Sequence, residues 1–153
     1  MLFDEFSAGS LQLANRMVMA PMTRNRATPA HTPDALMATY YGQRATAGLI
    51  ITEGTSPSPN GLGYPRIPGL YDGAQVDAWK AVTAAVHAPG GKIFVQLMHC
   101  GRVGHVANLP AGAEVLGLGT VVCPQPLGAG DRARHGCRDR PRQGRHAAVA
   151  LTA

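Results

Sequence analysis

The stretch Asn15-Arg-Met-Val-Met-Ala-Pro-Met-Thr-Arg-Asn-Arg26 decides the fold class. It opens with the apolar run Met17-Val-Met-Ala20, whose length is typical of a strand buried on both faces, although periodicity alone does not exclude a helix. Pro21 ends the run, because proline has no N–H to give to a strand ladder. The hydroxyl of Thr23 and the cation of Arg24 follow. This ending indicates either a ligand site at the carboxyl end of a strand, as in α/β folds, or an ordinary polar loop.

Helices and strands alternate after this first strand. A helix is predicted over 34–47, started by Pro33 and Asp34 and ended by Gly48 as a C′ glycine. Leu49-Ile-Ile-Thr52 is predicted to be the second strand. The order strand–helix–strand predicts a right-handed crossover between parallel strands.

The same alternation continues to residue 98. Asp72 is predicted to cap a helix over 74–88, and Lys92-Ile-Phe-Val-Gln-Leu-Met98 is predicted to be the third strand. Residues 2–13 are predicted to form a hairpin ahead of the first strand. Two apolar stripes at helical spacing are predicted to face the core: Leu36, Met37, Tyr40 and Tyr41 in the first helix, and Val76, Trp79, Val82 and Val86 in the second.

Length and composition predict one soluble, cytoplasmic domain. The 153 residues are enough for a core, and the sequence has no apolar run of membrane-spanning length and no signal-peptide pattern. Three cysteines, Cys100, Cys123 and Cys137, are odd in number and widely spaced. Neither a disulfide framework nor a metal site is therefore predicted.

The net charge of +5 is concentrated in the last residues. Residues 1–130 hold eight Lys and Arg against seven Asp and Glu, a net of +1, whereas 131–153 hold six Arg against two Asp, a net of +4. All eight aromatic residues lie at or before Phe94. The composition predicts a domain over 1–124 and a disordered, arginine-rich tail over 125–153, because the tail has too little apolar content to offset its ordering entropy.

Six dispersed stretches, taken together, resemble the old yellow enzyme family of FMN-dependent ene reductases. The resemblance covers Leu2 to about His105, and more faintly extends to Pro124. The stretches are Asn15-Arg-Met-Val-Met-Ala-Pro-Met-Thr-Arg24, Tyr40-Tyr-Gly-Gln-Arg-Ala45, Gly48-Leu-Ile-Ile-Thr-Glu-Gly-Thr55, Gly61-Leu-Gly-Tyr-Pro65, Gln75-Val-Asp-Ala-Trp-Lys80 and Phe94-Val-Gln-Leu-Met-His-Cys-Gly-Arg102.

The resemblance implies an α/β fold, the N-terminal portion of a (β/α)8 TIM barrel with about three βα units, and FMN at the carboxyl ends of the strands. It implies that Pro21-Met22-Thr23 lies along the flavin, that Gly54 offers backbone contacts and that Gln96 bonds the pyrimidine edge. Tyr64 would lie on the substrate side. The residues alone favour a capping hydroxyl for Thr23 and a partner for buried backbone for Gln96, and these roles give way to the flavin only with the resemblance. Tyr64 is as readily a packing residue. Met98 departs from the family, where an aromatic residue is usual.

The resemblance further implies reduction of the flavin by NAD(P)H and reduction of an activated alkene, such as an enone, by the flavin. No catalytic residue is carried over, because the family's His-x-x-Asn or His-x-x-His pair has no match here. A complete barrel needs about 250 residues, so a truncated FMN-dependent oxidoreductase is predicted. One alternative is an inactive truncated or frameshifted remnant. Another is a nucleic-acid binder acting through the arginine tail, which the lack of interleaved aromatic residues disfavours.

Overall fold

A computed structural model of the chain describes residues 1–116 and the backbone of 147–149. Each helix begins after an aspartate whose carboxylate accepts a backbone N–H from the first turn, Asp34 from Met37 and Asp72 from Gln75. The strands are β1 (Phe6–Ala8), β2 (Leu11–Leu13), β3 (Val18–Met19), β4 (Leu49–Thr55), β5 (Ile93–Leu97) and β6 (Ala147–Val149), and the helices are α1 (Ala35–Gly42) and α2 (Gly73–His87).

The sheet topology confirms the predicted β-α-β-α-β order. β3, β4 and β5 are adjacent and mutually parallel, with Val18 opposite Leu49 and Ile50 opposite Ile93. β1 and β2 pair antiparallel and form the predicted hairpin. Both crossovers run through a helix, as parallel neighbours require. The described part of the chain is therefore a partial α/β unit.

A fourth strand, β6, pairs with the outer edge of β5. This pairing is antiparallel, with Gln96 opposite Ala148. β6 lies within the predicted disordered tail, and the rest of 125–153 lies outside the described residues, as does the predicted boundary at 124. No helix within residues 1–116 is long and apolar enough to cross a membrane.

The core lies between the two helices and the β4–β5 part of the sheet. Tyr41 packs against Trp79, with ring centroids 6.4 Å apart. Because aromatic side chains bury large areas, this pair joins α1 to α2 at the centre of the core. The buried cluster comprises Ala27, Met37, Tyr41, Ala45, Ile50, Trp79, Val82, Val86 and Ile93.

The prediction that both apolar stripes face the core is wrong at one position in each helix. Leu36 is 56% exposed and Val76 is 43% exposed, whereas Gln75 is fully buried. The face of α2 that meets the core therefore begins at Gln75, four residues before Trp79. Gln75 is buried because its carboxamide accepts the Tyr71 N–H at 3.0 Å and donates to the Ala30 carbonyl.

Two further predictions about the first βαβ unit are wrong. α1 ends at Gly42, and tighter turns continue to Ala47, so Gly48 is not its C′ residue. Glycine is required at 48 because a Cβ there would lie 2.1 Å from the Asn15 carbonyl oxygen. β3 is not buried on both faces: Val18 is 53% exposed, so the described residues leave the face that carries Val18 largely uncovered.

Candidate functional site

Three loops leave the sheet at the same end. They follow β3 at residues 20–34, β4 at 56–72 and β5 at 98–116. Because the three strands are parallel, their carboxyl ends lie along one edge of the sheet, which is where α/β folds bind ligands.

Backbone hydrogen bonds join these loops into one layer. Because the donors and acceptors come from different loops, the position of each loop depends on its neighbour. The bonds run from the Ala27 N–H to the Arg66 carbonyl at 3.1 Å, from the Gly69 N–H to the His31 carbonyl at 2.7 Å and from the Cys100 N–H to the Gly61 carbonyl at 3.0 Å.

A β-bulge in β4 places Gly54 directly beside Gln96. Ile51 pairs with Phe94, but the next pair is Gly54 with Gln96, so β4 carries one extra residue between them. The Thr52 hydroxyl oxygen accepts the Gln96 N–H at 3.0 Å, which replaces the interrupted ladder bond. Thus two of the residues predicted to bind the cofactor are neighbours across two strands.

The third part of the predicted site, Pro21-Met22-Thr23, is an exposed segment directly after β3. Met22 is 43% exposed. Within residues 1–116, neither the Thr23 hydroxyl nor the Gln96 carboxamide has a hydrogen-bond partner, so both groups are available to a ligand. The parallel register brings this segment, Gly54 and Gln96 to the same end of the sheet.

Met98 covers Gly54. A Cβ built on Gly54 would lie 2.4 Å from the Met98 Cε and 2.6 Å from its Sδ. Gly54 therefore has space for the thioether and none for a side chain of its own. Because methionine has three rotatable bonds, the Met98 side chain can change its conformation over Gly54.

Tyr64 is 42% exposed in the loop after β4. No hydrogen bond or ring contact within the described residues brings it to Thr23, Gly54 or Gln96. A groove of about 360 Å³ lies beside it between the three loops, and its lining includes His31, Arg66 and Asn108 but none of the predicted site residues.

Glu53 is a buried residue beside the predicted site to which the sequence analysis gave no role. Its carboxylate is buried, with 1% of the residue exposed, and it accepts the backbone N–H of Arg24 at 3.0 Å and the hydroxyl of Tyr41 at 3.3 Å. The Glu53 N–H in turn donates to the Tyr41 hydroxyl oxygen at 2.8 Å. The available signal was an acidic residue in a strand that opens with the apolar run Leu49-Ile-Ile.

Burial dominates the electrostatics of this pair. It raises the pKa of Glu53 above its ordinary value, although hydrogen bonds from Arg24 and Tyr41 and the Arg24 charge act in the opposite direction. Burial, followed by the negative charge of Glu53, also raises the pKa of Tyr41 well above its usual range. Tyr41 is therefore a neutral hydrogen-bonding group at all physiological pH values.

Comparison with known proteins gives matches over most of the chain. The model of the NADH:flavin oxidoreductase / NADH oxidase family matches residues 1–143. 12-Oxophytodienoate reductase 7 of Oryza sativa subsp. japonica is 49% identical over 113 residues, which are 73% of this chain and 28% of that protein. A probable flavin mononucleotide-dependent alkene reductase of Leishmania infantum is 40% identical over 128 residues, which are 84% of this chain and 35% of the other. The structure of morphinone reductase in complex with tetrahydroNAD is 50% identical, with a TM-score of 0.71, and the match covers 74% of this chain and 31% of that one.

The chain belongs to the NADH:flavin oxidoreductase / NADH oxidase family, and the predicted resemblance to old yellow enzyme is confirmed. It spans 28% and 35% of the length of the two curated relatives described above. The family match also continues past residue 124, where composition had placed the end of the domain.

Proposed function

We propose that this protein is an FMN-dependent oxidoreductase of the old yellow enzyme type. In this proposal NAD(P)H reduces the flavin, and the flavin reduces an activated alkene such as an enone. The observation that carries the proposal is the end of the parallel sheet, where the Thr23 hydroxyl and the Gln96 carboxamide lie without partners among the described residues. The family membership and the flavin mononucleotide-dependent relative support the choice of cofactor.

The polar groups available at this edge match those of a flavin ring. The pyrimidine edge of FMN presents two carbonyl oxygens and one N–H between them, and the Gln96 carboxamide offers both a donor and an acceptor. The Thr23 hydroxyl would donate to a ring oxygen, and this bond would stabilise the charge that the reduced ring gathers there. When bound, FMN supplies the hydride chemistry, and these residues bind and orient it.

The remaining predicted contacts complete one face of the proposed site. Pro21 and Met22 would lie along the ring, Gly54 would contribute its backbone, and Tyr64 would lie on the substrate side. Since Met98 covers Gly54, contact at Gly54 requires the Met98 side chain to turn aside. We also propose that the three parallel strands are the first strands of a (β/α)8 barrel.

The proposed contacts address the ring edge and leave the phosphate without a described partner. In barrels of this class the phosphate site comes from the loops after strands seven and eight. We therefore expect the purified 153-residue chain to bind FMN weakly, and the titration has to extend to millimolar flavin.

The test is an FMN titration of the full chain followed by an activity assay. Flavin fluorescence is measured for the wild type, for Thr23→Val and Gln96→Leu, and for the matched controls Thr39→Val and Gln12→Leu, which alter exposed residues in α1 and β2. Each site variant is expected to weaken binding about tenfold, which corresponds to one lost hydrogen bond. The controls are expected to bind like the wild type.

Two outcomes separate the candidate functions. A yellow complex that oxidises NADPH in the presence of cyclohexenone supports the full proposal. A flavin complex without turnover supports the ring-edge site and assigns the chain to the inactive alternative. Saturation with equal affinity in Thr23→Val, Gln96→Leu and the wild type would show that the flavin binds elsewhere.

A further inference from the structure

We propose that Glu53 is a positioning residue that holds Pro21-Met22-Thr23 at the carboxyl end of β3. It acts through the backbone N–H of Arg24, the residue directly after this segment. The inference rests on the proposed function, because Glu53 would orient this segment toward the flavin. It adds a residue whose side chain is buried and bonded to Tyr41 in the core.

The first argument is how few contacts hold the segment. Among the described residues, the bond from the Arg24 N–H to Glu53 is the only one that ties the backbone of 21–24 to another strand or helix. Pro21 has no N–H, and Met22 and Thr23 are exposed. The peptide that joins Thr23 to Arg24 contains this N–H. Its plane also includes the Thr23 Cα, so the bond restrains the position of the Thr23 side chain.

The second argument is that Glu53 is itself held rigidly. Tyr41 contacts it twice, donating its hydroxyl to one carboxylate oxygen and accepting the Glu53 N–H. The ring of Tyr41 is fully buried between Tyr40 and Trp79. Because Tyr41 restrains it, the Glu53 carboxylate is held in one orientation, with its second oxygen facing the Arg24 N–H.

The third argument concerns the charge of Arg24. Its guanidinium carbon lies 5.3 Å from the centre of the Tyr40 ring, and no ion pair with Glu53 occurs within residues 1–116. The carboxylate therefore accepts a bond from the backbone and does not neutralise the side chain. Because the cost of burying a carboxylate is offset by the hydrogen bonds it accepts, losing the Arg24 N–H would leave the buried Glu53 oxygen that faces it less well compensated, and this cost favours keeping the Arg24 backbone in place.

The experiment compares four substitutions in the full chain. Glu53→Met keeps the length of the side chain but removes both acceptors, whereas Glu53→Gln keeps one acceptor oxygen for the Arg24 N–H and can donate its amide to Tyr41. Asp34→Ala is the matched control, because Asp34 also accepts a backbone N–H at 3.0 Å but does so at the start of α1. Tyr41→Phe is the second test variant if Glu53→Met does not fold.

The first readout is amide hydrogen exchange at Arg24 without flavin, corrected for global stability with the α2 amides. Glu53→Met is expected to speed exchange about tenfold, whereas Glu53→Gln is expected to restore it to within about threefold of the wild type. Tyr41→Phe is expected to give an intermediate rate, since Glu53 loses its anchor but keeps its oxygens. Asp34→Ala is expected to leave the corrected Arg24 rate unchanged.

The second readout is the FMN affinity of the same proteins. Glu53→Met is expected to bind about tenfold more weakly, with rescue by Glu53→Gln and no loss in Asp34→Ala. Unchanged Arg24 exchange in Glu53→Met, or faster exchange with unchanged FMN affinity, overturns the inference. If the wild type binds no FMN, the proposed function fails, and the exchange arm still decides whether Glu53 holds the segment.

Discussion

Replacing Gly48 by alanine is expected to separate the first two strands of the parallel sheet. Asn15 is buried beside Gly48, and its Oδ1 accepts both the Gly48 N–H at 2.8 Å and the Met17 N–H at 3.0 Å. Its side-chain amide donates to the Thr46 carbonyl at 2.9 Å. A single side chain thus ties the approach to β3 to the start of β4.

The magnitude follows from the close approach of the two backbones. A Cβ on Gly48 would lie 2.1 Å from the Asn15 carbonyl oxygen and 2.9 Å from its carbonyl carbon. Relief requires the Asn15 backbone to move by about 1 Å, an overpacking cost of about 1–3 kcal/mol. This movement also weakens the hydrogen bonds of the Asn15 side chain, at about 1 kcal/mol each. The free energy of unfolding should fall by about 3–5 kcal/mol.

Thermal unfolding followed by circular dichroism measures this change. For a chain of this length, 1 kcal/mol shifts the Tm by about 2–4 °C, so Gly48→Ala should melt about 10 °C lower than the wild type. Gly73→Ala is the matched control: a Cβ on Gly73 meets nothing within 4 Å, and alanine in the first turn of α2 is neutral or slightly stabilising. A Gly48→Ala protein that melts within about 2 °C of the wild type would refute the steric reasoning.

Three other perturbations have definite expected results. Asp72→Ala removes the carboxylate that accepts the Gln75 N–H at 2.8 Å, and urea unfolding should show a loss of about 1 kcal/mol. Trp79→Phe removes the indole N–H that donates to the Gly69 carbonyl at 3.0 Å in the core, and the same assay should show a loss of about 2 kcal/mol. Because the pKa of Glu53 is raised in the folded state, the unfolded chain binds fewer protons above its ordinary pKa of 4.5, and stability should fall as pH rises from there through the folded pKa. Glu53→Gln should reduce this slope in urea titrations at several pH values, and an unchanged slope would contradict the assignment.

The order of elements could be read from the sequence because it is encoded locally. Apolar runs, the aspartates at 34 and 72 and the glycines after α2 act on residues within a few positions of themselves. The βαβ crossover rule then gives parallel strands, and parallel strands place Thr23, Gly54 and Gln96 at one end. The dispersed motifs, taken together, also indicated the family, which helix and strand patterns alone do not identify.

Only the tertiary structure showed how segments distant in sequence meet. Nothing near Gly48 in the sequence indicates that the Asn15 carbonyl lies against it, and nothing near Glu53 indicates that its oxygens receive the Arg24 N–H and the Tyr41 hydroxyl. Periodicity also placed Val76 in the core, where the structure has Gln75. The buried Gln75 carboxamide is favourable because it donates to the Ala30 carbonyl, 45 residues away in sequence, as well as accepting the N–H of nearby Tyr71. The physical reason is the same in each case: local pattern determines which residues favour a helix or a strand, whereas burial and hydrogen bonding depend on groups that arrive from elsewhere in the chain.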